Sequence, residues 1–144
     1  TVAWDADVSE SGFNRQGLGT VPDVAAVEEV GSDQARWVGV PETEKNKQLE
    51  QMRQNAPEMK ITQELRQQGF DEKTTTDDHL MHIYGTAKDQ NGTKFYMVKN
   101  SWGETGNYKG MWYVSDSYVR YKTICVLLHK DAIPASIKSK LNLK

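Results

Sequence analysis

The 144 residues read as an α+β chain built around an antiparallel sheet. Three observations carry this. Aromatic and β-branched runs cluster in the last third, two of them flanking Asn91-Gly92 in the manner of a hairpin. A stretch of strong helix formers with little apolar content occupies the middle. Hydrophobic residues make up 37% against 26% charged, enough to bury a core in one domain or in one half of a larger one.

From the N-terminus, residues 2–8 mix β-formers with Asp5 and Asp7 and run into Ser9-Glu10-Ser11-Gly12, a short strand and a turn. Residues 13–41 contain Gly17, Gly19, Pro22, Gly31, Gly39 and Pro41 without a sustained period, which predicts irregular surface chain with one short helix or strand over 24–30. Residues 43–55 predict a helix capped by Thr43, with Pro57 beyond its end. Its only apolar residues are Leu49 and Met52, so a single narrow stripe can be buried, as in a lid or connector. A second short helix is expected after it, capped by Thr62, carrying Ile61 and Leu65 four apart and stopped by Gly69. Together they form a helical insert over about residues 42–70. A polar loop, Thr74-Thr75-Thr76-Asp77-Asp78, leads into strands over 80–87 and 93–99, then 111–115 and 122–128. Residues 134–143 place Ile137 and Leu141 at i, i+4, a short terminal helix.

Composition narrows the function. Lys+Arg 18 against Asp+Glu 20 gives a net charge of −2 with no basic stripe, so no nucleic acid partner is expected. The longest apolar run, residues 124–128, is far short of the roughly 20 residues of a membrane helix. The single Cys125 excludes an internal disulfide, and its apolar strand predicts a core position and slow alkylation. The first residues, Thr1-Val2-Ala3-Trp4, have neither an initiator Met nor signal-peptide character, so the chain reads as part of something longer.

Three features are candidates for chemistry: Asp78-His79 at the start of one strand, Lys99-Asn100-Ser101-Trp102-Gly103 at the end of the next, and the lone Cys125, of which the first two combine. In Cys-His-Asn catalysis a thiolate attacks the acyl carbon while an imidazole holds and delivers the proton, and an amide oxygen on the far side of the ring fixes its tautomer. His79 and Asn100 on neighbouring strands suit the second contact, and Trp102 can keep water off it. His82 points away from His79, being three residues on along a strand. A metal site from Asp77, Asp78, His79 and His82 fails on the same geometry, and no cofactor is called for.

These motifs, with Gly110 ahead of an aromatic strand, resemble the C-terminal half of papain-like cysteine peptidases. Glu104-Thr105-Gly106-Asn107-Tyr108-Lys109-Gly110, Asp116-Ser117-Tyr118-Val119 and His129-Lys130-Asp131-Ala132-Ile133-Pro134 are similar to the bleomycin hydrolase and aminopeptidase C branch. Val2-Ala3-Trp4-Asp5-Ala6-Asp7-Val8 resembles the strand that opens that family's second half. The resemblance implies a sheet curling toward a half-barrel, His79 as general acid/base, Asn100 as its orienter and Trp102 as shield. It points to Ala3, near where relatives line the S2 pocket, and to Asp78 for substrate binding. It implies a peptide substrate, a homo-oligomer of the complete enzyme and a cytoplasmic location. The family's nucleophilic Cys and oxyanion-hole Gln have no match here, and Cys125 lacks the helix start or basic neighbour that would activate it. The chain therefore reads as inactive alone, completed by a Cys-bearing N-terminal half. The long C-terminal tail of relatives is not recognisable before the chain ends at Asn142-Leu143-Lys144. The alternative is a catalytically inactive module that binds a peptide or partner.

The hairpin register sets two arguments against each other. A two-residue Asn91-Gly92 turn pairs Gln90 with Thr93 and puts His79 opposite Glu104, four residues from Asn100, roughly 13 Å at about 3.3 Å per residue. The catalytic pairing needs His79 opposite Asn100, hence Leu80 with Lys99, His82 with Met97 and Thr86 with Thr93, across a wide loop over 87–92. The second is the expected one.

Overall fold

The computed structural model describes residues 1–143; Lys144, at the expected C-terminal end, lies outside the described residues. Its strands are β1 (Val2–Ala6), β2 (Phe13–Asn14), β3 (Leu18–Gly19), β4 (His79–Lys88), β5 (Lys94–Lys99), β6 (Met111–Ser115) and β7 (Thr123–Leu127). Its helices are α1 (Ala25–Ser32), α2 (Glu42–Gln54), α3 (Gln63–Asp71), α4 (Asp116–Lys122) and α5 (Ala135–Lys140). The strands form one curled sheet in the order β2-β3-β6-β5-β4-β1-β7. Every pair is antiparallel except β3 with β6, which departs from the purely antiparallel expectation. The 13–19 turn is held against β6 by Trp112 Nε1 donating to the Asn14 carbonyl at 2.9 Å and by Tyr113 N donating to that of Gly17.

Alternation along the central strands builds the core. Trp4 lies across from Met81, Ile83 from Val98, and Val98 from Trp112, so one face collects the large apolar groups. Phe13, Val114 and Tyr118 complete this cluster, with Trp4, Trp112 and Tyr118 wholly buried. Indole and phenol rings of this size bury about 150–250 Å² each and dominate such a core.

The helices were legible in kind and misjudged in detail. α2 starts at Glu42, with Pro41 at the cap position and no side-chain cap, so Thr43 falls inside the first turn. Proline's fixed φ, here −57°, already suits a helix start. The short element expected over 24–30 is the helix α1; it is followed not by irregular surface chain but by a 3₁₀ turn, Gln34–Trp37, and the two pack Val27 and Trp37 on Leu49 of α2 as a second small core. The partner lies across the helical hairpin, so no local period announces it. Thr62 caps α3 as predicted, its hydroxyl accepting from Leu65 N at 3.2 Å. That helix runs through Gly69 to Asp71. Gly69 is there for close approach: a Cβ would come 3.0 Å from Thr75 Oγ1 and 3.2 Å from the Tyr121 ring. α4 was not anticipated; Lys122, expected in a strand, is its last residue. The Ser115 hydroxyl caps it on Tyr118 N at 3.1 Å, and Arg66 from α3 donates to the carbonyls of Arg120 and Tyr121 at its end.

The hairpin takes neither expected register. Lys88 pairs with Lys94 and Thr86 with Tyr96, leaving Asp89 to Thr93 as the connection. The loop closes at this length because Asp89 Oδ1 accepts from both Asn91 N and Thr93 N at 2.8 Å. Between Ile83 and Gly85 the register shifts by one, so that Ile83 pairs with Val98 and His82 with Lys99. Cys125 also departs from expectation: it is exposed, on the outermost strand, which is paired only with β1. The next two residues share the shortage of cover, Val126 being 49% and Leu127 74% exposed.

Candidate active site

The shift at Tyr84 decides which residues meet. Continued from the loop end, the ladder would bring Asn100 across from exposed His82; after the shift it comes across from buried Met81. His79 is two residues from Met81 and so on the same face, one diagonal step from Asn100. A ring spans such a step. His79 Nε2 lies 2.8 Å from Asn100 Oδ1.

The chemistry of the contact follows from a neighbour. Asn100 Oδ1 also accepts from Ser101 N at 2.7 Å. A backbone N–H can only donate, which fixes this atom as the amide oxygen, and the imidazole must then donate through Nε2–H. The lone pair of the neutral ring is therefore on Nδ1, the nitrogen a proton donor would use. Asn100 is 3% exposed, its own N–H donates to the Gly110 carbonyl at 3.1 Å, and its Nδ2 has no hydrogen-bond partner among the described residues.

Trp102 stacks on the imidazole with ring centroids 5.1 Å apart and an interplanar angle of 24°. It is held edge-on by Phe13 and Trp112, at 6.2 and 5.5 Å. The indole thus covers one face of His79 while remaining 41% exposed itself. Across the sheet His79 faces Ala6, whose single methyl leaves the ring room.

Ala3 is not brought to this pair. It lies across from His82, on the face of the sheet opposite His79, and β1 alternation makes Ala6 the residue beside the ring. His82 points away from His79, in keeping with the spacing argument. Asp78 uses its carboxylate on the fold: Oδ2 accepts from Val8 N at 3.2 Å and Ser9 N at 3.1 Å, and Oδ1 from the Thr76 hydroxyl at 2.8 Å. Burial pushes its pKa up, but the hydrogen bonds from Thr76, Val8 and Ser9 outweigh that and hold it below the ordinary carboxylate value. Among the described residues no group of three or more His, Cys, Asp or Glu is placed to hold a metal ion. No described helix is long and apolar enough to cross a membrane.

One cluster beside the pair was missed from sequence. Lys122, 3% exposed, lies with Asp7, Glu10, Thr74 and Thr75 just ahead of His79. Strand alternation gave no signal for it, since it puts Asp5 and Asp7 together on the face opposite Trp4 and Ala6, and Asp7 turns inward only past the end of β1 at Ala6.

The model of the Peptidase C1-like family matches residues 25–144. The chain belongs to this family. Among solved structures, PepW from Lactobacillus rhamnosis HN001 superposes on 98% of this peptidase C1-like chain with a TM-score of 0.57 at 19% identity. The match spans 25% of the PepW chain, and at that identity it shows the fold, a papain-like α+β architecture with a curled sheet. No curated protein matches the chain.

Proposed function

We propose that this chain is the His- and Asn-bearing C-terminal part of a cysteine peptidase of the bleomycin hydrolase and aminopeptidase C type, acting on peptides, with its thiol supplied by an N-terminal half outside this sequence. One observation carries the reading: the 2.8 Å His79–Asn100 hydrogen bond, which leaves Nδ1 as the free basic nitrogen. In this mechanism Nδ1 takes the proton of the incoming thiol and the thiolate attacks the peptide carbonyl carbon. The imidazolium then gives the proton to the leaving amine, and water, deprotonated by the same nitrogen, releases the acyl group. Asn100 holds the ring through the cycle. Trp102 keeps water from the hydrogen bond, which strengthens it. Cys125 does not serve as nucleophile here, since it lies on the outer strand against Asp5.

The test is reconstitution. The 144-residue chain alone is expected to release no product from a fluorogenic aminoacyl substrate, and mixing with the Cys-bearing half restores thiol-reagent-sensitive turnover. In the complete enzyme, His79→Ala loses at least about 10²–10⁴-fold in kcat/KM, the range of a general acid/base. Asn100→Ala loses less, because an amide orients the ring without moving the proton. Thiol-dependent hydrolysis by the chain alone would overturn the reading. Peptide binding without turnover in the complete protein would favour an inactive binding module.

A further inference from the structure

We propose that Lys122 is a positioning residue for His79, holding the segment ahead of β4 so that the imidazole meets Asn100. His79 is paired with Ala6 at the last rung of the β1–β4 ladder, where ladders fray, and the five residues before it have no strand partner. What orders them is a buried network. Lys122 Nζ donates to the Thr74 carbonyl at 2.6 Å, to Thr75 Oγ1 at 3.3 Å and to Glu10, using all three of its hydrogens. Asp7, 1% exposed and 3.6 Å from Nζ, accepts from Thr76 N at 3.1 Å and from Ser9 N at 2.9 Å. Asp78 then ties the far end of the segment to Val8 and Ser9. Two carboxylates, Asp7 and Glu10, lie against one ammonium. Without it, repulsion and lost hydrogen bonds part the 7–10 loop from residues 74–78, and His79 moves with them.

Lys122 also links the two sides of the pair. It ends α4, which continues directly from β6, and β6 is the strand beside β5, whose end carries Asn100. The clamp therefore references the histidine side of the site to the asparagine side.

The catalytic meaning rests on the function proposed above, but the test reads the ring itself. In the wild-type chain, ¹H–¹⁵N NMR is expected to show a protected His79 Nε2–H. Lys122→Met is expected to speed exchange of that proton at least tenfold, with the near-ultraviolet circular dichroism of the buried tryptophans unchanged. Glu10→Gln and Thr75→Val, milder changes to the same clamp, are expected to act in the same direction and carry the test if Lys122→Met does not fold. Leu49→Ala, in the other core, is the control for a merely structural loss and leaves the ring signal alone. Folded clamp variants with wild-type exchange, alongside an Asn100→Ala variant that loses protection, would overturn the positioning role alone. An Asn100→Ala variant that keeps protection would overturn the His79–Asn100 bond, and with it the proposed function.

Discussion

The Oδ1 atom of Asn100 takes one N–H from its own successor, Ser101, and one from His79. A glutamine could not do both from this backbone position, because the extra methylene carries the oxygen past the Ser101 amide. The juxtaposition itself was readable from sequence, because Asp78-His79 and Asn100-Ser101-Trp102-Gly103 on neighbouring strands suit one side-chain contact, and His79, Asn100 and Trp102 are brought together. Cys125 shows the opposite case. Strand alternation located its neighbours but not the edge of the sheet, which is a property of the whole topology. Partial desolvation, and then the Asp5 carboxylate 3.7 Å from its sulfur, raise the thiol pKa above its ordinary value. Two results are expected. Iodoacetamide labels Cys125 to completion in the folded chain, and the rate rises with pH because only the thiolate reacts. Asp5→Asn, which removes the second cause, speeds labelling several-fold at neutral pH; an unchanged rate would show that the carboxylate does not act on the sulfur.

At the scale of elements, the register was the hardest thing to read, for a physical reason. Turn chemistry and site chemistry each specify a pairing, and the chain takes neither: a five-residue connection sets one register and Tyr84, left unpaired between the two halves of the hairpin, shifts it by one. Neither argument alone contains that freedom. The loop over residues 100–110 is constrained more tightly. Gly110 has φ +81°, and a Cβ there would stand 2.2 Å from the Gly103 carbonyl oxygen. Its N–H donates to Thr105 and its own carbonyl holds Asn100 N, so the loop that carries Asn100 and Trp102 closes through this residue. Gly110→Ala is expected to cost about 2–4 kcal/mol, from a strained backbone and a clash that only backbone movement relieves. Denaturant unfolding of the pair of proteins measures it. A loss under about 0.5 kcal/mol would mean the loop shifts freely, and the Asn100 position would then owe little to it.

Across the whole molecule the chain builds two cores, one on the sheet and one where α1, the 3₁₀ turn and α2 meet. The first was visible in the aromatic and β-branched runs. The second escaped because its members, Val27, Trp37 and Leu49, are separated by glycines and prolines that read locally as loop. The segment that follows α2 is tied to the sheet side by a polar seam centred on Glu58. Its Oε2 accepts from Val21 N at 3.0 Å and from the Ser115 hydroxyl at 2.6 Å, while Met59 bonds Val21 and Ser117. The two apolar clusters share no member among the described residues, so little packing strain is expected to pass between them. Leu49→Ala should therefore act locally. Removing a buried leucine side chain costs about 2–5 kcal/mol, the spread reflecting how far the site collapses. Here that cost falls on the helical insert, whose own core has three buried members among the described residues. Hydrogen exchange is expected to quicken over residues 25–54 while the amides of β4 and β5 keep their protection, so that the His79–Asn100 pair survives loosening of the insert. If the strand amides exchange in step with the helices, the seam couples the two cores, and the insert belongs to the same cooperative unit as the site.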